Sequence, residues 1–261
     1  MVPEAIRRRA SLAALSLAAA AAMTAAADGG APATIAQVKA SIVAVGTFER
    51  LRNPQFSFAG TGFVVGDGLL VATNEHVVPR TLNNDRGESI AVAIPAADST
   101  VQIRPARRAA ADGASDLALL RIEGKPLPAL TLGDAQAVRE GDWYLFTGFP
   151  IGSVLGLFPV THRAMIAAVT PIAIPAARAD QLDARVARRL NAGSFPVFQL
   201  DATAYPGNSG SPVYDPESGD VLGIVNMAFV KGTKEAVLTQ PSGICYAVPA
   251  KYLQLLLDKA R

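Results

Sequence analysis
The chain of 261 residues has a single cysteine, Cys245, and only two histidines, His76 and His162. A lone cysteine excludes an intramolecular disulfide framework. No grouping of metal ligands is apparent, and the one glycine-rich run that could cradle a phosphate does not fit. Gly60-Thr-Gly-Phe-Val-Val-Gly66 has the wrong spacing for a dinucleotide fingerprint and no helical pattern follows it. Neither a metal nor any other cofactor is therefore expected. A long hydrophobic run is missing too: Leu12 to Met23 is shorter than the ~20 apolar residues a bilayer span needs.

A surplus of charge is the last absence. Arg7, Arg8 and Arg9, then the apolar stretch, then Ala25-Ala26-Ala27 follow the order of a secretory signal peptide, assigned to residues 1–27. Of 24 basic and 22 acidic residues, three arginines and one glutamate lie in that segment, so 21 of each sign remain in the exported chain. A neutral domain with scattered charge gives no footing for nucleic acid. Export to the periplasm or the extracellular space is expected, with no stable membrane insertion once the signal is removed. Oligomeric state is left open by the sequence.

What is present is organised around Asp201-Ala-Thr-Ala-Tyr-Pro-Gly-Asn-Ser-Gly-Ser-Pro-Val213. A serine between Gly207 and Gly210, just after Pro206, sits where the backbone bends sharply and its amides can converge on one small space. An acyl-transfer nucleophile needs that geometry, although Gly/Pro/Ser turns are also ordinary connections between strands. Serine is a weak nucleophile, so the chain must supply a base and a group to orient it. His76 lies at the end of an apolar strand in Val71-Ala-Thr-Asn-Glu-His-Val-Val78. Asp116 opens Ser115-Asp-Leu-Ala-Leu-Leu-Arg-Ile122, where a lone acid entering a buried strand needs a partner. Asp112, followed by Gly113, reads instead as a turn acid, and His162 and Cys245 are the lesser rivals for base and nucleophile.

The order His, Asp, Ser and the stretches TNEHVV, DLALL and PGNSGSP resemble the chymotrypsin-type serine peptidases, in particular their bacterial HtrA/Deg-like branch. The resemblance runs from about Ser41 to Pro249 and departs from the family pattern at Ser211, where a second glycine is usual. It implies an all-β fold of two antiparallel six-stranded barrels with an inserted helix and a C-terminal helix. The first barrel, with His76 and Asp116, is placed in residues 34–135, and the second, with Ser209, in residues 136–261. The resemblance further implies a serine endopeptidase acting on polypeptides through an acyl-enzyme, with His76, Asp116 and Ser209 catalytic and an oxyanion hole at Gly207, Asn208 and Ser209. Thr203, Tyr205, Ile224, Val225, Asn226, Met227, Ile244 and Tyr246 are expected to contact substrate. The alternative on the same fold is a latent or inactive module that holds extended peptides; an esterase is disfavoured because the Gly-x-Ser-x-Gly elbow is missing. HtrA-like proteins usually continue into PDZ domains, and none is read in this sequence.

Three segments complete the expectations. Residues 176–191 carry Leu182, Val186 and Leu190 at four-residue spacing, early aspartates and late arginines, the pattern of an inserted amphipathic helix. Residues 151–160 form an apolar loop, either packed beneath a neighbour or exposed as an interaction surface. Residues 249–259 read as a terminal helix with Pro249 in its first turn. The resemblance places Thr203 at the base of the specificity pocket, where a carboxylate is therefore missing, and this points to small or medium apolar side chains rather than Arg or Lys at the cleavage site.

Overall fold
The computed structural model describes residues 30–96, 100–171, 195–227 and 243–260. The segments read as a signal peptide and as an inserted helix lie outside the described residues. Ile42–Phe48 (β1), Phe56–Val65 (β2), Leu70–Asn74 (β3), Ser89–Pro95 (β4), Val101–Asp112 (β5) and Leu117–Ile122 (β6) close into one barrel in the order β1-β2-β3-β6-β5-β4. Trp143–Gly148 (β7), Val160–Pro171 (β8), Pro196–Asp201 (β9), Pro212–Tyr214 (β10), Val221–Val225 (β11) and Ile244–Pro249 (β12) close a second, in the order β7-β8-β9-β12-β11-β10. All strand pairings within the barrels are antiparallel, and numbered within its own barrel each follows the same order, so one topology occurs twice. The expected all-β fold of two six-stranded barrels is the observed one.

Local chemistry explains the elements that carry the site. In β1 and the second half of β2 nearly every side chain is buried, which the apolar runs Ile-Val-Ala-Val and Phe-Val-Val require. Gly66 and Gly68, with φ of 63° and 80°, turn the chain between β2 and β3, and the Asp67 carboxylate accepts the Leu69 N–H at 3.0 Å. β5 is longer than its sequence suggests, because its arginines and alanines alternate between solvent and the barrel wall. β11 is shorter: it stops at Val225 instead of running on.

Helices Ala31–Lys39 (α1), Gly152–Leu155 (α2) and Ala250–Ala260 (α3) are the described α-helices. Pro249 ends β12, pairing with Gly223, and α3 starts one residue later. Leu253, Leu256 and Leu257, at helical spacing, bury the inner face of α3. They join Phe63, Leu117 and Leu119 of the first barrel and Phe149, Tyr214, Ile224 and Val248 of the second in one apolar cluster. At about 1.5–3 kcal/mol per buried large apolar side chain, this shared cluster is the main bond between the barrels. Each barrel also has a cluster of its own, around Val64 and Leu120 in the first and Phe146 and Leu200 in the second.

Candidate active site
Strand β3 ends at Asn74, and a single tight turn, Glu75–Val77, presents His76 at the barrel mouth. Beside it, at the start of β6, Asp116 adopts φ 56°, a left-handed conformation that Asp tolerates better than most residues. The surroundings fix this backbone: the Asp116 carbonyl accepts the Glu75 N–H at 3.0 Å and the Asn74 Nδ2 at 3.2 Å. The carboxylate, 3 % exposed, accepts the His76 backbone N–H through Oδ1 at 3.0 Å and lies 2.6 Å through Oδ2 from His76 Nδ1. Oδ2 accepts a further hydrogen bond, at 2.9 Å, from Asn226 Nδ2 of the second barrel. On the far side of the ring, His76 Nε2 lies 3.1 Å from Ser209 Oγ. Asp116, His76 and Ser209 thus form one continuous hydrogen-bonded line across the two barrels.

The rival side chains stand elsewhere. Asp112 is a turn acid, accepting from Ala114 N–H at 3.1 Å and Ser115 Oγ at 2.6 Å. His162, on β8, stacks on Phe146 with ring centroids 4.8 Å apart, and burial lowers its pKa. Cys245 is buried in the second barrel's core, where desolvation pushes its thiol up to about 12, so it holds its proton and is a poor nucleophile.

The serine loop is held by the first barrel. Thr61 N–H donates to the Ser209 carbonyl at 2.8 Å, and Thr61 Oγ1 donates to the Gly207 carbonyl at 2.7 Å while accepting Phe149 N–H at 3.0 Å. Asn208 N–H returns to the Tyr205 carbonyl at 2.9 Å, closing a turn with Pro206 second and Gly207, φ 102°, third. That is the chemistry of a type II turn. The Pro206 carbonyl points outward and accepts the Ile151 N–H at 2.7 Å. In a planar trans peptide the Gly207 N–H therefore points the opposite way. Neither it nor the Ser209 N–H has an acceptor among the described residues. Asn208 corrects the sequence reading: its N–H is spent on the turn and its side chain is wholly buried, which leaves Gly207 and Ser209 as the available donors.

Glycine is needed at 207 and 210 for space as well as for φ: a Cβ would lie 2.3 Å from the Phe149 carbonyl oxygen and 2.0 Å from that of Thr61, respectively. Gly148 faces the same loop from β7, and a Cβ there would sit 1.9 Å from Ser211 Oγ and 2.8 Å from Thr61 Oγ1. Gly148→Ala is accordingly expected to destabilise the protein by about 1–3 kcal/mol through overpacking. Ser211→Gly, by removing the nearest obstacle, should recover part of that loss, with a coupling of about 1 kcal/mol in a urea-melt double-mutant cycle. Additive losses would show that Ser211 is not the obstacle.

Of the expected substrate contacts, Ile224 and Val225 are fully buried in the apolar clusters, and Asn226, 0 % exposed, turns its amide to Asp116. Expected beside the substrate, these three offer it no exposed side chain: Ile224 and Val225 lie on β11 and Asn226 just after it, and the Val225 N–H and C=O are taken by the Ser211 carbonyl and the Gly210 N–H. Thr203, Tyr205, Met227 and Tyr246 are half-buried and Ile244 is exposed, so these five remain accessible. Met227 N–H approaches Ser209 Oγ at 3.4 Å. The role of Asn226 had no local signal, since it follows the apolar run Val221–Val225 and its partner is 110 residues away.

Comparison with known proteins places this geometry in context. The sequence model of the trypsin-like peptidase domain matches residues 60–224. A probable periplasmic serine endoprotease, DegP-like, of Marinomonas sp. is 28% identical over 212 residues, 79% of this chain and 36% of that protein. The protein of the same description in Chlamydia muridarum is 32% identical over 201 residues, 77% of this chain and 33% of its own length. The chain thus spans about a third of the length of these curated relatives. Among solved structures, the HtrA-type protease AlgW with a decapeptide superposes with a TM-score of 0.60 at 24% identity, covering 88% of this chain and 66% of that one.

Proposed function
Because the chain belongs to the trypsin-like peptidase family, we propose that it is a serine endopeptidase of the HtrA/DegP-like kind that cleaves polypeptides through an acyl-enzyme on Ser209. The observation that carries the reading is the unbroken line from Asp116 through His76 to Ser209, with contacts of 2.6 and 3.1 Å. His76 Nε2 takes the hydroxyl proton as Ser209 Oγ attacks the scissile carbonyl carbon, and then hands it to the leaving amine as the C–N bond breaks. Water then attacks the acyl-enzyme along the reverse path and frees Ser209. Asp116 fixes the Nδ1–H tautomer and stabilises the imidazolium; it keeps its charge throughout. The Gly207 and Ser209 N–H groups receive the oxyanion.

The acyl side of the substrate lies against Met227, with Thr203, Tyr205, Ile244 and Tyr246 around its first side chain, and the lack of a carboxylate at Thr203 favours an apolar residue there. The relatives named as periplasmic, and the signal-peptide pattern of residues 1–27, support export. Among the described residues no helix is long and apolar enough to cross a membrane.

Labelling with a fluorophosphonate probe tests the reading. The purified protein is expected to be modified stoichiometrically at Ser209, identified by peptide mass, because phosphonylation needs both an activated hydroxyl and a site for the developing charge. An intact protein that takes up no probe at neutral pH would sink the peptidase reading and leave a protease-fold module that binds extended peptides.

A further inference from the structure
The segment between β7 and β8 carries more exposed apolar surface than any role in the barrels explains. Residues 149–160 contain no charged side chain. Val154, Leu155 and Phe158 are 76 %, 62 % and 62 % exposed, while Leu157 alone among the loop's leucines packs against the core shared by the barrels. An apolar patch of this kind on a protein surface marks a contact made with something else.

Its position indicates what that contact is. The patch is fastened to the nucleophile turn by the 2.7 Å hydrogen bond from Ile151 N–H to the Pro206 carbonyl, and helix α2 grows directly from Ile151, whose carbonyl accepts from Val154 and Leu155 at 2.8 and 3.0 Å. Phe58 of β2 fills the angle between them: hypothetical Cβ atoms on Gly152 and Gly207 would lie 3.0 and 2.9 Å from its ring. Phe58 also meets Phe149 edge-on, with centroids 6.1 Å apart. Two residues further along β2, Gly60 abuts both Val77 of the His76 turn and the Ser209 carbonyl. Strand β2, bulged at Ala59 between these two residues, is therefore the element that runs from the histidine side of the nucleophile to the patch.

The leaving amine must receive its proton from His76 Nε2, so the leaving half of a substrate departs on the histidine side of Ser209, opposite the approach of Met227 N–H. We propose, resting on the peptidase reading above, that Phe58, Val154, Leu155 and Phe158 form the subsite on the leaving-group side, and that it takes apolar side chains C-terminal to the scissile bond. With no charge in the loop, selection there is by burial alone, which discriminates apolar from polar residues by about tenfold or more.

The test uses internally quenched peptides with identical acyl halves whose first three leaving-side residues are either Leu-Phe-Leu or Ser-Gly-Ser. The wild type is expected to cleave the apolar peptide with a kcat/KM about tenfold or more higher. In Leu155→Ser/Phe158→Ser that ratio should fall to about two or less, and Phe158→Leu, which keeps the apolar surface, should retain it. Equal cleavage of both peptides by the wild type, or an undiminished ratio in the serine double variant, overturns the subsite. A shift in sedimentation between wild type and double variant with the ratio intact would assign the patch to contact between copies and also overturn it. Failure of the peptidase reading is distinguishable: a wild type that cleaves neither peptide and takes up no fluorophosphonate removes both conclusions, whereas labelling without preference removes only this one.

Discussion
Ser209→Ala is expected to lower peptide turnover by about 10^4- to 10^6-fold and to abolish covalent uptake of a fluorophosphonate. Ser209 Oγ is the atom 3.1 Å from His76 Nε2, and Ser211, the nearest other serine, turns its hydroxyl into the closed space beside Gly148. Among the described residues no second hydroxyl is hydrogen-bonded to His76 Nε2 to take over. The fold should survive, because the bonds that hold the loop run through the Ser209 carbonyl and the Gly207 carbonyl, both main-chain groups that alanine leaves in place. Rates from a quenched peptide and a thermal melt on the same preparation separate the two effects. Turnover within tenfold of wild type would place the chemistry elsewhere.

Asp116→Asn is expected to cost about 10^4-fold in kcat while leaving substrate affinity nearly unchanged. Three donors face the carboxylate: the His76 N–H, the His76 Nδ1–H and the Asn226 Nδ2. An amide can present only one oxygen to them. If its oxygen keeps the His76 backbone N–H, its NH2 faces Nδ1, which must then become the acceptor. The ring proton moves to Nε2 and points at Ser209, so the base can no longer accept the serine's proton. If the amide flips, its NH2 meets the backbone donor and a buried hydrogen bond is lost, at about 1–3 kcal/mol of stability. Steady-state kinetics would show the kcat loss, and a variant with kcat within tenfold of wild type would remove Asp116 from the mechanism.

The motifs around Ser209, His76 and Asp116 were readable because their chemistry constrains sequence locally: glycines where φ must be positive, and an acid where a buried strand begins. The barrels were readable through short apolar strands separated by turn residues. What escaped the sequence depends on contacts distant along the chain. Asn226 follows five buried strand residues, and only the docking of two barrels gives its amide the Asp116 carboxylate. The Asn208 N–H was unavailable for a reason visible only in the turn it closes. Helix α1 buries only Thr34 and Val38, too thin a periodicity to read, and Thr34 reaches the Glu217 carbonyl 183 residues away. The loop from 151 to 160 has apolar composition whether packed or exposed, so its exposure could not be told from its letters.

Helix α3 follows the second barrel in sequence but packs into the cluster shared with the first, against β5 and β6. The order in which the polypeptide is made acquires a meaning from this. His76 and Asp116 can emerge and their barrel can close while Ser209 has yet to be synthesised, and the serine loop in turn waits for β12, which completes its barrel by pairing with β9 and β11. The line from Asp116 through His76 to Ser209 is therefore complete only once β12, nearly the last strand of the chain to be made, has taken its place between β9 and β11.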